Sequence, residues 1–429
     1  MLRVLAIIFT GIVVSFYYFP FEFSFLPGLN TKMGLAVVGV VLVVLQSVSK
    51  REVRAPKNLL IPIIWAVLVS LIGVLSNILN NTPDYVYATY VVSMIVWLSA
   101  ALVPVVLIKR VHNKVDPFIL AQYIAAVCVI QCFLAQIIDS NAEVKHFVDR
   151  YILQGQDFLN DVNRIYGIGA NLDVAGSRFA AALIMLTYTS CAKQEIGRGA
   201  LTITIMEFII ITVLGSMIAR TTYVGVVISL LYLLLKGNVF AVTLSRDSLK
   251  RIASICLAIL VALIYFINLY HSNEDMQKMF RFAFEGFFNL VETGEWSIAS
   301  NERLKTMYVL PDNIHTWIIG DGYFNNPTNV DPYYVGEITG GYYKGTDVGY
   351  LRFIFYFGIL GLMAFSVYFL KVAHSCIQYF PNYKKLFILI LLANYTIWFK
   401  VSTDVFLVFA LFLCIGNMQD EIPELEEEG

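Results

Sequence analysis

Apolar runs of membrane-crossing length recur along nearly the whole chain, and short polar punctuation separates them. The runs lie near 4–24, 33–49, 58–79, 87–108, 117–138, 174–192, 199–218, 222–236, 252–270, 350–370, 386–400 and 404–418. A bilayer core takes about 20 apolar residues per helical crossing. Backbone groups in hydrocarbon find no water, so such runs must close their hydrogen bonds within helices. The pattern predicts an all-α integral membrane protein with about 12 transmembrane helices. One polytopic domain would cover 1–418, with no internal repeat, followed by an acidic cytoplasmic tail at 419–429.

One long interruption breaks this rhythm. Residues 271–349 form a large outward-facing loop between the ninth and tenth spans. Within it, 274–291 is amphipathic, with Met276, Met279, Phe280, Phe287 and Leu290 at helical spacing. Such a helix suits the membrane surface. A second helix is predicted from about Asn301 to Leu310, starting just after Ser300. The following stretch, 311–346, is rich in Gly, Asn, Pro and Tyr and reads as irregular loop. Its aromatic density argues against disorder.

Composition agrees with the pattern. The chain is 58% hydrophobic and 14% charged, with a mean hydropathy of +0.71. Soluble domains carry about 25% charged residues. The placement of charge is more informative than its sum. Lys50, Arg51, Arg54 and Lys57 fill one short loop, Lys109, Arg110 and Lys114 another, and Lys193 and Arg198 a third. Lys236, Arg246, Lys250 and Arg251 fill a fourth, and Lys371, Lys384 and Lys385 a fifth. The alternate short loops hold only Lys32, Arg220 and Lys400. By the positive-inside rule both termini are expected in the cytoplasm. The 271–349 loop and the polar stretch 139–177 then face outward. The first span follows Arg3 without a small-residue cleavage site and reads as a retained anchor. All six cysteines lie in spans or on the cytoplasmic side, so no disulfide framework is expected outside. Cys128 and Cys132 share a helix face and read as small packing residues.

Candidate chemistry concentrates on the outward side. Arg220, in Ala219-Arg220-Thr221, stands at a very short turn between two apolar runs. A lone arginine there is either a snorkelling anchor or an anion ligand. Its guanidinium can grip a phosphate through two parallel hydrogen bonds, which a lysine cannot. Arg303, in Asn301-Glu302-Arg303-Leu304, is either a solvated loop charge or a second ligand. Asp347 precedes the tenth span and reads as a capping or first-turn carboxylate, as a functional group, or as both. Tyr350, three residues on, can point with it. Arg352 lies about one turn into that span. Tyr323, Phe324, Tyr333, Tyr334, Tyr342 and Tyr343 crowd the end of the loop. They suit either the membrane interface or stacking against sugars. His315 is a lone loop histidine, and Glu207 is ionisable in mid-span, at a cost on the order of 3 kcal/mol if charged. No Walker motif, HExxH or Cys/His cluster occurs, and Gly320-Asp321-Gly322 alone is too short for a nucleotide fingerprint. Neither ATP, another cofactor nor a tightly held metal is expected. No basic and aromatic stripe points to nucleic acid.

Layout and motifs together resemble the bacterial O-antigen polymerases, within the O-antigen polymerase and ligase superfamily. The matching places are Ala219-Arg220-Thr221 opening a span, Asn301-Glu302-Arg303-Leu304 with Ile319-Gly320-Asp321-Gly322, and Thr346-Asp347-Val348-Gly349-Tyr350-Leu351 before Phe357-Gly358-Ile359-Leu360-Gly361. The resemblance implies a glycosyltransferase of the bacterial inner membrane that acts on oligosaccharide units carried by undecaprenyl diphosphate. It implies that Arg220 and Arg303 grip the diphosphate. Asp347 is the expected group for orienting or deprotonating the acceptor, and Arg352, Tyr350, His315, Tyr323 and Tyr343 are expected to line the substrate. Membrane lipid and a chain-length regulator protein are the expected partners. Ligases of the superfamily carry a His-Asn where this chain has Asp347-Val348, which favours polymerase over ligase. A flippase for the same lipid-linked sugars is the non-enzymatic alternative. It calls for internal repeats, broken helices and midplane charges, and the sequence shows one midplane charge, Glu207, and no clear repeat.

Overall fold

The computed structural model describes residues 2–50, 57–161, 164–193, 197–236, 260, 264, 266–268, 270–271 and 274–420. The predicted ninth span at 252–270 lies mostly outside these residues. So do Cys256, the loop residues Arg51, Arg54, Arg246, Lys250 and Arg251, and most of the acidic tail.

The described chain is helical almost throughout. Helices α1 (Leu2–Tyr18), α2 (Thr31–Lys50), α3 (Lys57–Asn80), α4 (Tyr90–His112), α5 (Pro117–Ser140), α8 (Leu172–Ala192), α9 (Arg198–Ile218) and α10 (Thr222–Lys236) overlie the first eight predicted spans. Beyond the large loop come α16 (Gly349–Tyr379), α17 (Lys384–Ile397) and α18 (Phe406–Asp420). Six of the helices, α2, α3, α4, α5, α9 and α16, are long and apolar enough to cross a membrane. The polar stretch after α5 is more ordered than its composition suggests. It holds α6 (Ala142–Tyr151) and α7 (Gln156–Asp161). The large loop carries α11 (Glu274–Ala283), α12 (Glu285–Thr293), α13 (Ala299–Thr306), α14 (Ile314–Ile318) and α15 (Pro327–Val330). The amphipathic segment is therefore two helices rather than one. Phe284, at φ −106° and ψ 26°, breaks it.

The chain divides into two compact units. The first comprises residues 1–34 and 106–298. Its centre is α8, buried on every face from Ala175 to Thr189 and packed against α5, α9 and α10. Ala175, Gly176, Ser177, Ala180, Ala181 and Ala182 let neighbouring backbones come close, which is how helices associate where lipid supplies no hydrophobic drive. Beyond the end of α5 sits a small cap. Strand β1 (Glu22–Phe23) pairs antiparallel with β2 (Ile152–Leu153), Phe23 opposite Ile152. Beneath them Phe21, Ile138, Val148, Ile152, Leu159 and Tyr166 form a core. The cap holds the backbone of Arg164, whose N–H donates to the Leu159 carbonyl at 2.9 Å.

The second unit comprises 35–105 and 299–429. Its centre is α16, against α3, α14, α17 and α18. Helix α16 is broken at Phe357 and Gly358, the latter at φ +66°. A helix break frees carbonyls that must find donors elsewhere when buried. Here the Phe355 carbonyl accepts from Asp321 N–H at 2.6 Å and the Tyr356 carbonyl from Gly322 N–H at 3.1 Å. The Ser76 hydroxyl adds a second donor to the Tyr356 carbonyl at 2.6 Å. The Gly320-Asp321-Gly322 motif is thus the element that completes a broken helix. Asp84 fixes the next residues of the loop, accepting from Phe324 N–H at 2.9 Å and Asn325 N–H at 2.8 Å. Asp84→Ala leaves both donors without a partner, at a cost of about 2–4 kcal/mol. The expected outcome is a clear fall in thermal unfolding temperature in detergent, and an unshifted transition would refute this role.

Candidate functional site

Two arginines meet in the first unit. Arg220 lies between α9 and α10, and its guanidinium carbon is 4.1 Å from the centre of the Phe282 ring. Arg164, from the cap, lies 3.9 Å from the same centre. The two guanidinium groups are therefore within about 8 Å of each other, on an aromatic ring that attracts both. Phe282 is on α11, which packs against α9. Glu285, the first residue of α12, pairs with Arg220 through its carboxylate. The Thr221 hydroxyl donates to Asp173 in the first turn of α8. Burial and the like charge of Arg220 push the Arg164 guanidinium below its ordinary range, while Asp173 and Glu285 hold it up. An arginine keeps its proton through such a shift. The cluster presents two fixed cations with planar donor forks, the arrangement that binds phosphate oxygens.

The second unit has a different arginine environment. The Arg352 guanidinium carbon lies 3.7 Å from the Phe324 ring centre and 3.3 Å from that of Tyr342. Its Nη1 donates to Ser402 Oγ at 2.6 Å and its Nη2 to the Phe324 carbonyl at 3.1 Å. Arg352 is 5% exposed. Through these two bonds Arg352 rivets the loop to α16, while its buried Nε has no hydrogen-bond partner among the described residues. Asp347 lies near enough to interact electrostatically with it.

The other predicted residues are distributed unevenly. Asp347 is one residue short of the helix cap, which is Val348, so it does not serve as the first-turn carboxylate. Tyr350 is held by the segment that follows α16. Its hydroxyl donates to the Tyr395 carbonyl at 3.0 Å and its ring packs on Phe399, because α17 lies against that face of α16. Tyr323 and Tyr343 do come together, with ring centres 5.4 Å apart. They are buried, however, over Val348, Leu351 and Phe355. Tyr323 donates to Asp331 at 2.5 Å and Tyr343 to Asp321 at 3.0 Å. Burial first, and then these carboxylates, push both phenols well above the ordinary tyrosine range. The aromatics left open to solvent are Tyr333 and Tyr342. Arg303 on α13 and His315 on α14 are exposed. Glu207 is buried in α9, and its Oε2 has no hydrogen-bond partner. Among the described residues no group of three or more His, Cys, Asp or Glu side chains could hold a metal ion.

Sequence reading missed Arg164, Asp173, Phe282 and Glu285. Asp173 alone carried a signal, as an acidic residue opening a helix. Arg164 sits in a polar stretch among other charges, and Phe282 and Glu285 look like ordinary members of an amphipathic segment. No family model, curated protein or solved structure is matched by this chain.

Proposed function

We propose that the protein is a bacterial inner-membrane polymerase of surface polysaccharide, of the O-antigen type, with about 12 spans and both termini cytoplasmic. It would join oligosaccharide units carried on undecaprenyl diphosphate at the outer face of the membrane. The observation that carries this reading is the convergence of Arg164 and Arg220 on Phe282, on segments that the basic-residue pattern assigns to the outward side. Two guanidinium groups this close suit a ligand with two adjacent phosphates better than one with a single charge.

In the proposed reaction a sugar hydroxyl of one unit attacks the anomeric carbon of another. The new glycosidic bond forms as the bond to the diphosphate oxygen breaks. Undecaprenyl diphosphate leaves with the electron pair, and the hydroxyl proton passes to a base, for which Asp347 is the candidate. Negative charge grows on the diphosphate in the transition state, and fixed cations stabilise it. The bond to diphosphate is already activated, so no further energy source is required. Arg303, exposed on α13, is proposed as a further ligand of the substrate's phosphates.

The test is a deletion of the gene in its host, with glycans separated by size and complementation by wild type and variants. Collapse of the ladder to a single repeat unit, restored by wild type alone, supports the reading. An intact ladder rejects it, and complete loss of surface glycan with units retained inside favours a flippase. Arg164→Ala is expected to lower chain lengthening about 100-fold, as removal of one charge-stabilising donor does. Wild-type ladders from Arg164→Ala would remove it from the site.

A further inference from the structure

Glu285 presents its carboxylate to the very arginine assigned to the diphosphate. A carboxylate and a phosphate engage the same face of a guanidinium fork, so both cannot hold Arg220 fully at once. Arg164 and Arg220 face Asp173 and Glu285, and the charges balance within this foursome. An incoming anion therefore meets a neutral cluster. To gain the arginines it must displace a resident carboxylate.

Glu285 is well placed to be displaced. The ion pair is mostly buried, with side chains 12% and 22% exposed. Breaking such a pair leaves an uncompensated buried charge, so Glu285 yields only to an anion that takes its place on Arg220. Glu285 also follows directly on the break at Phe284, so its side chain can turn away without unwinding a helix. It has somewhere to go. It stands in the first turn of α12, nine residues long, where the unpaired N–H groups and the helix dipole favour a carboxylate. Asp173, by contrast, is tied to Thr221 at the start of the buried α8.

We infer that Glu285 is a resident stand-in for the ligand's anion, which holds Arg220 in the empty site and makes the site selective for diphosphates. The inference rests on the diphosphate reading of the cluster. A single phosphate competes with Glu285 for one arginine and gains little. A diphosphate reaches Arg164 as well as Arg220, and the second contact offsets the loss of the ion pair. Glu285 thus screens the site against single phosphates while admitting the lipid diphosphate.

The test is binding of inorganic pyrophosphate and of inorganic phosphate to the purified full chain in lipid nanodiscs, followed by titration calorimetry. Wild type is expected to prefer pyrophosphate. Glu285→Gln keeps the size of the side chain and removes its charge. It is expected to bind phosphate about tenfold more tightly, equivalent to about 1.4 kcal/mol, and so to narrow the preference. Glu285→Asp keeps the charge and should keep the preference, which controls for disturbance of the fold. If Glu285→Gln binds both anions as wild type does while Arg220→Ala has lost pyrophosphate, the stand-in role is overturned and the diphosphate grip survives. If wild type and Glu285→Gln both fail to bind pyrophosphate, the diphosphate reading falls and the inference falls with it.

Discussion

Arg220→Lys, expressed in a strain lacking the native copy, is expected to yield single repeat units rather than a ladder, as Arg220→Ala does. Lysine keeps the positive charge but offers a point donor instead of a planar fork. It also loses the face that lies on Phe282, with the guanidinium carbon 4.1 Å from the ring centre. Removal of one preorganised donor costs about 100- to 1000-fold in rate, and a lysine that cannot span two phosphate oxygens recovers little of it. The effect should be on turnover and not on folding. The Arg220 pair with Glu285 is mostly buried, and lysine keeps a positive charge opposite Glu285, so the carboxylate is not left uncompensated. Membrane abundance of the variant should therefore match wild type. A normal ladder from Arg220→Lys would reduce Arg220 to a charge anchor.

Gly358→Ala is expected to have the largest effect on stability. Gly358 breaks α16 at φ +66° and ψ −173°, a conformation that only glycine adopts readily. An added Cβ would stand 2.1 Å from the Ile318 carbonyl oxygen. That contact is backbone to backbone and has no flexible side chain to yield. Strain and overlap together should exceed about 3 kcal/mol. The partner position is equally tight, since a Cβ on Gly320 would lie 2.5 Å from the Tyr356 backbone. Gly340 provides the contrast, with nothing within 4 Å, and Gly340→Ala should stay within about 0.5 kcal/mol of wild type. Thermal unfolding in detergent checks both. Equal transitions for Gly358→Ala and Gly340→Ala would show that the break is not a structural requirement.

Arg220 and Gly358 also show which parts of the protein can be read from the chain alone. Arg220 stood out because a charge between two apolar runs costs energy unless it does something, and that argument is local. The helices were legible for the same reason. Eleven of the predicted spans are overlain by helices because each run can satisfy its own backbone, whatever lies beside it. The loop was harder. The single amphipathic helix expected at 274–291 is split at Phe284. The tyrosines Tyr323 and Tyr343, which as sequence suited an open sugar platform equally well, are buried in a small core. Side-chain periodicity says which face is apolar but not what will cover it.

Hydropathy and charge spacing by themselves determined an all-helical chain of membrane-crossing segments and a large polar loop, with Arg220, Arg303 and Arg352 as candidate charges. Only the tertiary structure decided what those arginines meet. Arg220 finds Arg164, Phe282 and Glu285 through residues distant in sequence, brought together by α11 on α9 and by the cap beyond α5. Arg352 is closed against Phe324 and Tyr342, because Asp84 and the broken α16 pin the loop there. Helix formation answers to nearest neighbours along the chain. A charged site answers to whatever packing brings within a few ångströms, and no local pattern encodes that.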